Sequence, residues 1–226
     1  MILSLLPITL LGAVVGLDTV SFPQAMMSRP LVAATLGGAL FGAPVAGLML
    51  GATLELFALE TLPFGASKYP EWGSASVVGG ALFASSTQPP AGAMTLALLA
   101  SLATAWVGGW TMVQLRQLNA KWAARSRSGL DAGARGTVIG LQLKGLTADL
   151  VRGALLTALA YATFAPLREA TLALWTVDAR VSRAVAVGVA TSVGVAAGWK
   201  LFHGNVLARW LFVAGLGAGL ATMVIR

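Results

Sequence analysis

The chain has no cysteine and a single histidine, His203. Without thiols there is no disulfide framework, no cysteine-bound iron–sulfur cluster and no cysteine nucleophile, and one histidine cannot build a multi-histidine metal site. Charge is scarce as well. Asp, Glu, Lys and Arg make up 10% of the 226 residues, against roughly a quarter in ordinary soluble domains. Neither a P-loop, an HExxH helix, a GxSxG elbow nor a glycine-rich dinucleotide fingerprint occurs. Neither metal nor cofactor is expected.

What remains is apolar. Hydrophobic residues are 57% of the chain, glycines number 27, and the mean hydropathy is +0.82. That is too apolar for a water-soluble core with a solvated face, and the glycines suit close helix packing and broken helices in a bilayer. An all-α, polytopic transmembrane protein is expected, a single membrane domain over 1–226. The net charge of +7 does not point to nucleic acid, because most Lys and Arg lie between apolar segments, where they orient spans. The N-terminus lacks the basic region of a secretory signal and reads as a retained first span; no soluble domain is expected after Arg226.

Apolar segments fall at about 2–17, 31–59, 75–86, 91–113, 138–164, 170–177, 184–202 and 206–224. A simple crossing needs about 20 apolar residues, so not all are simple spans. Segment 31–59 is long enough for one tilted helix, but Gly42-Ala-Pro44 breaks it, so two half-helices in a hairpin are at least as strongly expected. Leu36-Gly-Gly-Ala-Leu-Phe-Gly-Ala43 is echoed by Val78-Gly-Gly-Ala-Leu-Phe-Ala-Ser85, each followed by proline. Paired Gly/Pro-interrupted segments mark binding sites between transporter repeats. The polar segment 114–136 sets Arg116, Lys121, Arg125, Arg127 and Arg135 against Asp131, which predicts a basic cytoplasmic loop. Leu115, Leu118 and Trp122 recur at helical spacing, so its first half is expected to be an amphipathic helix at the interface. Arg168-Glu169 and Asp178-Ala-Arg180 read as further connections.

An ionisable residue inside such a stretch calls for a polar cavity or a partner, since charge at a helix centre costs roughly 2.5 to 3.5 kcal/mol on insertion scales. Glu55 is one. Asp18, Gln24 and Arg29 flank it in sequence in a connector where Pro30 disfavours helix at Arg29. Asp18 and Arg29 can form a structural ion pair, or together offer acceptors and forked donors to sugar hydroxyls. Glu60 lies about 140° round a helix from Glu55, so the two do not form a dyad. Lys68, Tyr69, Glu71 and Trp72 make a polar aromatic turn whose rings serve as interface anchors or as a sugar platform. Asp149 and Arg152, three apart, are expected to pair within a span, and Lys144 to snorkel towards the basic loop. His203 reads as a turn residue rather than a phosphoryl acceptor.

Leu17-Asp18, Ser28-Arg29-Pro30-Leu31-Val32, Leu36-Gly37-Gly38, Gly42, Gly47, Gly51-Ala-Thr-Leu-Glu55-Leu, Gly65-Ala and Pro70-Glu71 together resemble the IIC membrane component of the mannose/fructose/sorbose family of the bacterial phosphotransferase system (PTS). Segment 114–136 and Gln142 to Gly153 resemble that family's cytoplasmic connection and the span after it; the likeness covers about residues 10–160. The chain departs from enterobacterial mannose members in Phe22-Pro-Gln-Ala-Met-Met-Ser28 and in Ser67-Lys-Tyr-Pro-Glu-Trp72. The resemblance implies an inner-membrane permease subunit, without a phosphoryl-carrying residue of its own. It would bind a hexose-like sugar, pair with a IID membrane subunit in a trimer of IIC–IID pairs, and pass sugar to IIB on the cytoplasmic side. It implies a sugar path near Asp18, Arg29, Glu55 and the Lys68–Glu71 turn; with Gln24 these are the candidate substrate-binding residues. A receptor or scaffold of the same fold, and an ion-coupled transporter using Glu55 as a proton site, remain alternatives.

Overall fold

The computed structural model describes residues 2–61, 68–86, 88–202 and 204–224, and regular structure among them is entirely helical. The elements are α1 (Ile2–Asp18), α2 (Pro30–Ala39), α3 (Pro44–Glu60), α4 (Trp72–Ala84), α5 (Ala93–Arg125), α6 (Arg127–Asp131), α7 (Arg135–Ala173), α8 (Ala179–Phe202) and α9 (Val206–Val224). Helices α5, α7 and α8 are long and apolar enough to cross a membrane. His203, and Gly65 to Ser67 of the polar turn, lie outside the described residues.

Segment 31–59 is a helical hairpin. Gly42 takes a positive φ of 73°, a conformation that costs glycine little, and Pro44 opens α3 at its first turn, where a missing N–H costs nothing. The two arms run antiparallel in contact: a side chain on Gly47 would meet the Ala34 carbonyl, and one on Gly51 the Pro30 carbonyl.

The internal echo has a structural counterpart. Its first copy ends α2 before the turn into α3, and its second ends α4 before the turn into α5. These two glycine-bearing helices pack on each other. A Cβ at Gly37 would strike the Val77 carbonyl and one at Gly80 the Ala34 carbonyl, so residue numbers rise along α2 as they fall along α4, the mark of antiparallel packing. Between membrane helices, where lipid removes the hydrophobic drive, such backbone approach is what dispersion packing requires.

Helix α4 occupies the centre. Every residue from Gly73 to Ala84 is buried, walled by α1, α2, α3, α5 and α7. Thirteen residues rise only about 20 Å, short of the roughly 30 Å hydrocarbon core; ends at membrane depth are tolerated because protein surrounds them. Outside this centre, α8 packs on α3, and α9 packs on α8. Asp178 and Asn205 begin those two helices by accepting from Arg180 N at 2.7 Å and Leu207 N at 3.0 Å, as N-caps do.

Two expectations need correction. The first half of 114–136 is helical, but it is the uninterrupted end of α5 rather than a separate helix lying flat. No proline falls between Ala93 and Arg125, and the polar part is rich in Leu, Gln, Lys, Ala and Arg, all good helix formers. Arg168 and Glu169 lie inside α7, not in a connection. Pro166 stands within that helix, since a proline removes one backbone bond and often kinks rather than ends a helix. The segment beyond it is held by the buried Arg168, which donates to Ser86 Oγ at 3.3 Å.

Candidate functional site

The site is assembled on the connector between α1 and α2. Asp18, 2% exposed, ends α1 and turns its carboxylate onto the loop that follows. Oδ1 accepts from Ala25 N at 2.6 Å and Oδ2 from Ser28 N at 2.8 Å. Both oxygens are thus taken by backbone donors, and Asp18 sets the path of the chain instead of meeting Arg29. Gln24, at φ 59°, is exposed on the same loop and donates to the Val20 carbonyl at 2.7 Å.

Arg29 closes the connector in extended conformation, as the residue before a proline should. Its guanidinium pairs with Glu55 Oε1 from the middle of α3. Glu55 Oε2 accepts from Leu31 N at 3.2 Å, so the carboxylate also serves an N–H in the first turn of α2, where helix donors lack partners. The Glu55 side chain is 23% exposed and that of Arg29 35%. The pair is therefore open on one side, and it joins an acceptor to a planar fork of donors. Glu60, at the end of α3, pairs separately with Lys200 of α8 at 2.9 Å.

The same connector is tied to two more elements. Thr19 donates to Glu71 Oε1 at 3.2 Å, and Ser21 donates to Asp149 of α7. Asp149 also receives Arg152 Nε at 2.8 Å, the pairing that the spacing of three predicted. Glu71 is fully buried, caps α4 by accepting from Ser74 N at 3.1 Å, and presents Oε2 without a protein partner.

Of the six candidate residues, Arg29 and Glu55 are brought together, Asp18 and Gln24 lie on the loop leading to them, and Glu71 reaches that loop through Thr19. Lys68 is exposed and its Nζ lies 5.1 Å from the Trp106 ring centre on α5. The aromatic turn is occupied by protein: Tyr69 accepts from Arg116 at 2.8 Å, and Trp72 donates to Thr61 at 3.1 Å. Thr19 and Ser21, which fasten the connector, carry no signal in the sequence; a hydroxyl beside an intramembrane carboxylate has no distinctive spacing. Lys144 lies over the Trp122 ring at 4.2 Å, at the basic loop as expected.

Comparisons with known proteins give a consistent picture. The family described as "PTS system sorbose-specific iic component" matches residues 2–215. The sorbose-specific EIIC component of Lacticaseibacillus casei is 37% identical over 67 residues, 30% of this chain and 24% of that protein. That of Klebsiella pneumoniae is 34% identical over 80 residues, 35% of this chain and 30% of that protein. The matched stretches thus span about a quarter to a third of these relatives. Among solved structures, one described as a membrane protein aligns at a TM-score of 0.77, with 19% identity, over 100% of this chain and 92% of the other. The mannose transporter ManYZ in complex with microcin E492 aligns at 0.62, with 19% identity, over 97% and 87%. The two structural matches share the fold, and the family match extends over nearly the whole chain: it belongs to the sorbose-specific IIC component family of the PTS.

Proposed function

We propose that the chain is the IIC permease subunit of a bacterial sugar phosphotransferase system, set in the inner membrane, binding a hexose-like sugar that IIB phosphorylates on the cytoplasmic side. In this reading a IID subunit completes the membrane complex as a trimer of IIC–IID pairs, and segment 114–136 faces the cytoplasm. The observation that carries it is the Arg29–Glu55 pair, half-open at the start of a broken-helix hairpin and joined by one connector to α4 and α7. A carboxylate and a guanidinium side by side offer an acceptor and several donors to neighbouring hydroxyls. Because the connector is bonded to α1, α4 and α7 as well, sugar bound there has a path by which to bias movement of one helical group against another.

The test is Glu55→Gln in the assembled IIC–IID complex. It keeps the side chain's shape and removes the charge from a hydrogen bond worth about 1.5 to 3 kcal/mol, so sugar affinity measured by calorimetry should fall about tenfold or more. Unchanged affinity in a well-assembled complex refutes a ligand role for Glu55.

A second reading draws on Asp18 and Asp149, whose carboxylates are engaged within the chain. It makes the protein a non-transporting membrane receptor or scaffold of the same fold. Thermal stabilisation of the complex by a panel of hexoses and hexitols separates the two: stabilisation supports binding, and a flat response across the panel supports the scaffold.

A further inference from the structure

A crease runs between α5 and α7, and neither Arg29 nor Glu55 lines it. Its apolar part, about 570 Å³, is lined from α5 by Thr104, Val107, Leu115 and Leu118 and from α7 by Leu155 and Leu159, among others. The α5 positions that line it, 103, 104, 107, 111, 114, 115 and 118, follow one helical face. The next positions on that face, Trp122 and Arg125, line a second pocket of about 360 Å³, which Lys144 and Gly140 close from α7. The two pockets follow one another along the same pair of helices, Leu118 and Ala148 of the first being succeeded by Trp122 and Lys144 of the second, so the lining changes from mainly apolar, with Gln114 and Arg152 as polar members, to basic. From Ala103 to Leu118 the apolar part rises about 22 Å, longer than one leaflet of a roughly 30 Å hydrocarbon core. At its far end Arg125 and Lys144 are exposed, with the Lys144 ammonium over the Trp122 ring at 4.2 Å.

We propose that this crease is a binding site for an anionic phospholipid, with acyl chain along the α5–α7 groove and phosphate between Arg125 and Lys144. The apolar groove alone would suit any lipid. The choice of an anionic one comes from the basic pocket at its end, the arrangement that holds acidic headgroups between membrane helices. A tryptophan beside two cations at that level fits the interfacial belt, where an amphipathic ring sits among headgroups.

The protein is titrated in detergent micelles with phosphatidylglycerol and with phosphatidylcholine, and bound lipid is counted by native mass spectrometry. Wild-type protein should retain phosphatidylglycerol over phosphatidylcholine, and the pair Arg125→Gln/Lys144→Gln should lower that preference by about thirtyfold, from the attraction of two basic residues at a membrane surface. Leu155→Trp, which fills the groove, should reduce retention of both lipids. Arg180→Gln/Arg183→Gln removes the same charge from α8 and should leave the preference intact. Equal retention of the two lipids by wild-type protein, or an equal loss in the α8 pair, overturns the proposal. So does efficient crosslinking of a cysteine at Leu155 to a second protein chain in native membranes, which would make the crease a protein interface.

Discussion

The buried Asp149–Arg152 pair should be the most sensitive charge arrangement in the chain. Its side chains are 4% and 8% exposed, and Asp149 is further bonded to Ser21 of the connector. Removing Asp149 leaves Arg152 with a 3.4 Å contact to the Gly16 carbonyl, while its Nη1 has no protein partner even in the intact protein. Breaking one side of a buried pair costs about 3 to 5 kcal/mol, whereas replacing both partners by apolar groups of similar volume is often neutral. At about 2 to 4 °C per kcal/mol for a chain of this size, Asp149→Leu and Arg152→Met should each lower the midpoint of thermal unfolding in detergent by about 10 °C. The double variant should recover most of that loss, a non-additivity that only interacting residues show. Single variants within about 2 °C of wild type, or a double variant that falls by the sum of the two singles, would refute the assignment of a coupled, desolvated pair.

Other consequences are open to direct measurement. Gly80→Ala drives a methyl into the Ala34 carbonyl and should cost about 1 to 3 kcal/mol by overpacking, while Gly188→Ala, with nothing within 4 Å, should match or exceed wild-type stability; denaturation midpoints compare them. Glu71→Ala removes the cap of α4 and its link to Thr19, with an expected loss of about 0.5 to 2 kcal/mol for the cap alone. Faster hydrogen exchange at the Ser74 amide should report it. Single cysteines at Ser126 and Ser128 should react with an impermeant maleimide only after cells are opened, because the Lys/Arg excess around them opposes translocation; labelling in intact cells counts against that topology. Reversing Glu60 and Lys200, an exposed pair, should change stability by no more than about 1 kcal/mol.

Sequence alone determined the membrane class, because a chain this apolar carries too little charge to solvate its outer surface in water and is at home in hydrocarbon. It also determined the hairpin break: Gly42 and Pro44 act within their own turn, through φ and a missing N–H, and need no distant partner. The Asp149–Arg152 pair was legible for the same local reason, being one turn apart on one helix. Boundaries that depend on packing were not. Arg168 and Glu169 looked like a connection, yet α7 runs through them, and Arg168 is buried in the bundle with Ser86 as a partner. The connection of Arg29 to Glu55 rather than to Asp18 was likewise decided in three dimensions. Asp18 lies nearer to Arg29 in sequence, but folding turns its two oxygens onto the amides of Ala25 and Ser28, and the α2–α3 hairpin carries Glu55 across to the guanidinium. Glu71 shows the same division. Its position beside a proline and a tryptophan suggested a polar turn, but burial is a property of what surrounds a residue, and the helices packed about the start of α4 place it inside the protein.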